Sequence, residues 1–176
     1  VAAGPQVEIM GEDGQILPKG DIGEIVIRGS NVTSGYENNP PANKDNFREG
    51  WFCTGDEGLL DSDGFLKITG RLKEIINRGG EKIAPLEVDN VIQAHSAVEQ
   101  VVTFAMPHSK LGEEVAAAIV LVEGLNASER EIKDFAATKL ADFKVPRQII
   151  FVDEIPKGAT GKMQRIGLAE KLGLNK

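Results

Sequence analysis

Apolar positions change rhythm along the chain, alternating in short runs at first and recurring at helical spacing later. From position 6 to about 70, Val7 and Ile9, then Ile25 and Ile27, then Phe65, Leu66 and Ile68 form runs too short for helices, set off by Asp13-Gly14 and Asp63-Gly64. Period-two runs beside Asp-Gly pairs predict β-hairpins. Between them, SGYENNPPANKDNFREGWFCTGD is crowded with Gly, Asn, Pro and charge. Periodicity there predicts loops, with one helical turn at positions 42–47.

After Arg71 helices and strands alternate. Pro85 suits a first helical turn because its φ is already fixed, and Val88, Val91 and Ile92 recur on one face of the helix it would start. Positions 98–105, 115–122 and 148–152 are short and rich in residues that fit a half-buried sheet, so they predict strands. Ser128 and Glu131 have capping-box spacing, Ile132, Phe135, Ala136 and Leu140 follow at helical intervals, and Pro146 closes that segment. IPKGATGKM predicts an exposed loop, and positions 163–174 a last short helix. The fold class is α+β: a β-hairpin-rich N-terminal part, then a small α+β part whose short sheet is flanked by helices.

Composition narrows the function. The 176 residues are 41% hydrophobic and 27% charged, the balance of a globular chain able to bury a core. A net charge of -7 and a pI near 5.0 oppose a nucleic-acid surface, which needs a basic face to neutralise phosphates. No apolar run approaches the ~20 residues that span a bilayer. VAAGPQVEIM lacks the basic-then-apolar order of a secretory leader, and the ending LNK is no peroxisomal signal, so the expected location is cytoplasmic. The single cysteine, Cys53, excludes an internal disulfide. His95 and His108 have no Cys or carboxylate at metal-ligand spacing, so no metal site is expected within the chain.

Taken singly, the polar clusters have plain explanations. Gly55-Asp56 and Gly79-Gly80 would serve any tight turn, and a loop lysine such as Lys162 is normally only hydrated. The Lys162 loop is not a P-loop, because G-x-x-G-K-M lacks the four-residue gap and the Ser/Thr after lysine that holds magnesium. A glycine-flanked lysine remains, a compact charge on a long stem that can reach a phosphate or carboxylate.

Taken in order, the clusters carry more. GYENNP at 35–40, GWFCTGD at 50–56, GRLKEIINRGGEKIAPLEVD at 70–89 and PKGATGKM at 156–163 resemble the adenylate-forming superfamily of acyl-CoA ligases, luciferases and peptide-synthetase adenylation domains. Gly80, Pro85 and Glu87 match the G-x-x-x-x-P-x-E pattern of its acyl-CoA ligases, a group that includes 4-coumarate–CoA ligase-like and oxalyl-CoA synthetase-like enzymes.

The resemblance implies a division of labour. Residues 1–70 would be the β-rich end of a large AMP-binding domain, the end of its β-barrel; 71–73 a hinge centred on Lys73; and 74–176 a small lid domain that rotates between two half-reactions. It implies that Asp56 grips the ribose hydroxyls of ATP, since a carboxylate can accept both protons. Arg71 and Lys82 would be further nucleotide contacts, and Gly79 and Gly80 would line the tunnel for the pantetheine arm of CoA. Lys162 would be the catalytic lysine that bridges the substrate carboxylate and the α-phosphate.

The implied reaction is attack of a carboxylic acid on ATP to give acyl-adenylate and pyrophosphate, then attack of the CoA thiol to give acyl-CoA and AMP. Cofactors and co-substrates are then ATP/AMP, CoA and a Mg2+ held mainly by parts of the parent enzyme outside this chain. The partners are ATP, CoA, a carboxylic acid and the remainder of the parent polypeptide, with no nucleic acid and no membrane span. The phosphate loop, magnesium-holding glutamate and acid pocket of the family are not among the 176 residues, so the chain alone is expected to be inactive. Two other readings stay open: a non-catalytic module that binds nucleotide, CoA or a partner, and an adenylation domain that serves a carrier protein.

Overall fold

The computed structural model describes residues 4–158, 161 and 163–174. The chain divides into two compact units, Val1–Lys73 and Glu74–Lys176.

In the first unit β1 (Gln6–Met10), β2 (Gly23–Arg28), β3 (Phe47–Arg48), β4 (Trp51–Leu60) and β5 (Leu66–Arg71) form one antiparallel sheet. Its order is β1-β2-β4-β3, and β5 also pairs with β4. The Asp63-Gly64 signal is read as expected: Asp61 Oδ1 accepts the N–H groups of Asp63 and Phe65, and Gly64 turns at φ 87. Helix α1 (Pro40–Asn46) starts where Asn39 accepts the Ala42 N–H and proline fills the first turn. Met10, Val26, Trp51 and Cys53 make the apolar core, and the Arg28 guanidinium lies 4.3 Å from the Trp51 ring centroid.

Strand β4 corrects the sequence reading, which gave positions 51–56 to a loop. It is the longest strand of this sheet, ten residues, and pairs with β2, β3 and β5. Trp51 and Cys53 do alternate inward, but glycines dilute the pattern. At Gly58 the glycine is needed for pairing: a Cβ would stand 2.5 Å from the Lys67 carbonyl oxygen, beside a bulge in the β4–β5 register.

The second unit contains β6 (Ile76–Arg78), β7 (Glu81–Ile83), α2 (Pro85–Ile92), β8 (Val98–His108), β9 (Gly112–Leu121), α3 (Glu129–Ala137), β10 (Gln148–Phe151) and α4 (Leu168–Lys171). Its sheet has the order β10-β9-β6-β7, with β8 also on β9; only the β10–β9 pairing is parallel among the described strands. Alternation along β9 builds two cores. Val115, Ala117 and Ile119 pack with Val88 and Ile92 of α2 and with Ile132 and Ala136 of α3. Ala116 and Ala118 pack on the opposite face with Phe104, Ile155 and Leu168 of α4. Helices therefore flank both faces of this sheet, and the chain as a whole is α+β. The capping box is fully formed: Ser128 Oγ accepts the Glu131 N–H at 3.2 Å, and Glu131 Oε2 accepts the Ser128 N–H at 2.7 Å. The last helix is shorter than the 163–174 pattern predicted, because Gly167 and Gly173, at φ 77 and 72, break it at both ends.

Candidate functional site

Register places two of the nucleotide-site candidates together. Asp56 on β4 is paired across the ladder with Arg71 on β5, and Arg71 Nε lies 3.0 Å from Asp56 Oδ1. Their side chains are 28% and 68% exposed, so this pair adds at most about 1 kcal/mol to stability. Its consequence is orientation: a carboxylate and a guanidinium are presented to solvent side by side. The backbone behind Asp56 is fixed by polar bonds. Thr54 Oγ1 donates to the Ile25 carbonyl at 2.7 Å and accepts the Asp56 N–H at 3.1 Å, while Gly55 N–H donates to Glu24 Oε1 at 3.0 Å. Thr69 Oγ1 donates to Glu57 Oε1 at 2.8 Å, linking β5 to the next residue of β4. Lys73, exposed in a short 3-10 turn Leu72–Glu74, is the last residue of the first unit.

Gly79 and Gly80 form the turn between β6 and β7, closing the Arg78–Glu81 pair. Both have positive φ, 60 and 100, as a tight two-residue hairpin requires. Gly79 N–H donates to the Leu111 carbonyl at 2.9 Å, and Gly80 N–H to Asn77 Oδ1 at 3.0 Å. The two glycines differ in surroundings. A Cβ on Gly79 would come 3.0 Å from Leu111 Cδ2, whereas one on Gly80 would meet nothing within 4 Å. Gly80 thus offers bare backbone to whatever approaches. Lys82 is exposed on β7.

This turn is fastened to the β8–β9 hairpin. Asn77 N–H donates to Glu113 Oε2 at 2.7 Å, and Arg78 Nε lies 2.6 Å from Glu114 Oε1. Burial acts to raise the Glu114 carboxyl, but the hydrogen bonds from Arg78 and the Val115 N–H, with the Arg78 charge, hold it below its ordinary value.

Lys162 lies outside the described residues, as do positions 159 and 160. The chain on either side is described. Lys157 and Met163 form an isolated antiparallel bridge, and Gly161 N–H donates to the Gly158 carbonyl at 2.9 Å. Just beyond, Arg165 reaches three acceptors: Glu74 Oε2 through Nε at 2.9 Å, Asp89 Oδ2 through Nη1 at 2.7 Å, and the Thr103 carbonyl through Nη1 at 3.0 Å. Asp89 Oδ1 accepts the Thr103 N–H at 2.7 Å. Burial pushes the Asp89 carboxyl above its ordinary value, against the opposing pull of Arg165 and of its bonds to Thr103. Sequence reading did not single out Arg165, Asp89 or Glu74. One local signal was present: Asp89 sits inside the apolar stripe of Val88, Val91 and Ile92, where an acid needs a partner.

The remaining polar candidates have local roles. His95 Nδ1 accepts the Ala97 N–H at the end of α2, and its ring packs edge-on against Phe135 at 5.1 Å. His108 Nδ1 accepts the N–H groups of Lys110 and Leu111 in the β8–β9 turn. Cys53 is buried, and burial, with the nearby Glu24 charge, pushes its thiol up, away from nucleophilic use. Among the described residues no group of three or more His, Cys, Asp or Glu converges as a metal site, and no helix is long and apolar enough to cross a membrane.

Residues 87–162 match the AMP-binding enzyme C-terminal domain family. The chain is 49% identical to an oxalate–CoA ligase of Saccharomyces cerevisiae over 95% of its own length and 31% of the relative's. It is 50% identical to an oxalate–CoA ligase of Arabidopsis thaliana over 92% of its length and 32% of the relative's. The crystal structure of ATP-bound MatB from Rhodopseudomonas palustris matches with a TM-score of 0.89 and 36% identity, covering 96% of this chain and 34% of that one. The chain thus spans about a third of the length of the curated relatives it matches.

Proposed function

Since the chain belongs to the adenylate-forming superfamily, as the C-terminal portion of its CoA ligases, we propose that it supplies the hinge, the lid and part of the nucleotide grip of an enzyme that joins a carboxylic acid to CoA using ATP. The observation that carries this reading is the match, at about half identity and over more than nine-tenths of this chain, to about a third of the length of oxalate–CoA ligases. Oxalate is therefore the first acid to test, and other small dicarboxylic acids the next.

The geometry supports a role for Asp56, Arg71 and the Gly79-Gly80 turn, and motif order supports those of Lys162 and Lys73. Asp56, held by Thr54 and Arg71, is placed to accept ribose hydroxyl protons, and Arg71 to balance the charge of a bound nucleotide. Lys162, on its glycine-flanked loop, donates to the carboxylate and α-phosphate as negative charge shifts between them. After pyrophosphate leaves, rotation about Lys73 exchanges the Lys162 loop for the β6–β7 turn at the acyl-adenylate. Bare backbone at Gly79 and Gly80 then admits the pantetheine arm, with Lys82 beside it to meet a phosphate. On this reading the Mg2+ that accompanies ATP is held mainly by the rest of the enzyme, as the family resemblance implies.

The test is product stoichiometry. The full-length enzyme containing this chain, given ATP, CoA and oxalate or related acids, is expected to yield acyl-CoA, AMP and pyrophosphate in equal amounts. Release of ADP in place of AMP overturns the reading. Turnover by the isolated 176 residues overturns the claim that the site is shared with the rest of the enzyme.

A further inference from the structure

Arg165 is the best-connected cation among the described residues of the second unit, and its connections converge from three separate elements. Glu74 opens the unit directly after Lys73, Asp89 lies on α2, and Thr103 lies on β8. Only 18% of the Arg165 side chain is exposed, with 27% for Glu74 and 11% for Asp89. Asp89 is oriented in turn, because its second oxygen takes the Thr103 N–H.

Ion pairs taken out of water are poor stabilisers beside apolar packing of the same volume. Apolar packing borders the clamp, since Val88, the position before Asp89 on α2, is fully buried. What a planar three-acceptor clamp supplies, and a packed methionine or leucine does not, is one fixed direction for the chain that bears it. That chain is the stem of the Lys162 loop. Its other stem is anchored by the buried Ile155 and carries an exposed ion pair, Lys157–Glu154 at 2.8 Å, and the Lys157–Met163 bridge, with no buried ion pair among its described residues. Beyond Arg165 the backbone is held again, as Leu168 N–H donates to the Arg165 carbonyl at 3.1 Å and the Leu168 side chain is buried.

We infer that Arg165 is a positioning residue for adenylation: by clamping Glu74, Asp89 and the Thr103 carbonyl it ties the backbone three residues after Lys162 to α2, to β8 and to the segment that follows Lys73. This rests on the reading of Lys162 as the adenylation lysine.

The experiment uses the full-length enzyme and two readouts: ATP–pyrophosphate exchange, and acyl-CoA formation from pre-made acyl-adenylate. The main variant pairs Arg165→Met with Asp89→Asn, which removes the clamp without leaving a buried charge at position 89. Exchange is expected to fall roughly 10- to 100-fold, as small misplacements of a catalytic group do, while the thioester step stays within about twofold. Arg165→Lys is expected to restore part of the exchange, because one ammonium reaches fewer of the three acceptors. If the paired variant does not melt cooperatively, Glu74→Gln supplies the test, with a smaller but equally selective fall in exchange. Unchanged exchange, or an equal fall in both steps in a folded variant, overturns the proposal. Lys162→Ala separates the two possible failures. If Lys162→Ala is unselective, the reading of the lysine fails and takes this inference with it; if Lys162→Ala is selective and the Arg165 variants are not, only the inference on Arg165 fails.

Discussion

Gly80→Ala separates the turn's structural demand from the passage it borders. At φ 100 an alanine is strained by roughly 1–2 kcal/mol, and the stiffer unfolded chain returns about 0.4–1 kcal/mol of that. No steric cost is added, because the new Cβ meets nothing within 4 Å. The net loss is about 1 kcal/mol against a typical stability of 5–15 kcal/mol, so the variant folds. Gly79→Ala adds a 3.0 Å approach to Leu111 Cδ2, which is the end of a flexible side chain and yields at small cost. If the pantetheine arm runs against Gly80, the added methyl group occupies its path. Overpacking of that kind costs about 1–3 kcal/mol, a fall of roughly 5- to 150-fold in kcat/KM for CoA. The assay follows the denaturation midpoint, ATP–pyrophosphate exchange and CoA-dependent thioester formation in the full-length enzyme. A small midpoint shift, intact exchange and a slowed CoA step are expected. An unchanged CoA step, or exchange that falls as far as thioester formation, refutes the placement of CoA at this turn.

Asp56→Asn is expected to raise KM for ATP by roughly tenfold or more, the worth of one charged hydrogen bond, with a stability change below about 1 kcal/mol because the Arg71 pair is exposed. A KM within about twofold of wild type removes Asp56 from the nucleotide grip. Ser128→Ala removes the side-chain half of the capping box and keeps the bond from its own backbone N–H to Glu131, and should lower stability by about 1 kcal/mol, read from the denaturant midpoint at constant slope. A loss below about 0.3 kcal/mol means the α3 start is held by its core contacts alone. Glu114, held below its ordinary value of 4.5, contributes stability that is present above that value and lost as pH falls through the lowered one. Glu114→Gln is therefore less stable than wild type at pH 7, and the gap should close in acid; a pH-independent gap would mean that lost packing, not ionisation, sets the difference.

Elements with strong local periodicity were legible from sequence. The α3 capping box, the α2 stripe and the β8, β9 and β10 runs each announce themselves within a few residues, because burial of one face imposes the period. The start of strand β4 was not legible: Gly50 and Gly55, after a stretch crowded with Asn, Pro and charge, read as loop, and the pairing partners that make it a strand lie on distant segments. Helix α4 was overextended because its apolar residues continue beyond the glycines that end it. For the site, motif order pointed to Asp56 and Arg71, but their 3.0 Å contact follows from the β4–β5 register, which no short window contains. Arg165 and Asp89 are far apart in sequence, and only the fold brings them to 2.7 Å.

The central claim is that these residues complete an adenylation site through Lys162. In the full-length enzyme, Lys162→Ala should reduce ATP–pyrophosphate exchange by about 100-fold or more while acyl-CoA formation from pre-made acyl-adenylate stays within about twofold. Equal loss in both half-reactions, or no loss in exchange, would contradict it.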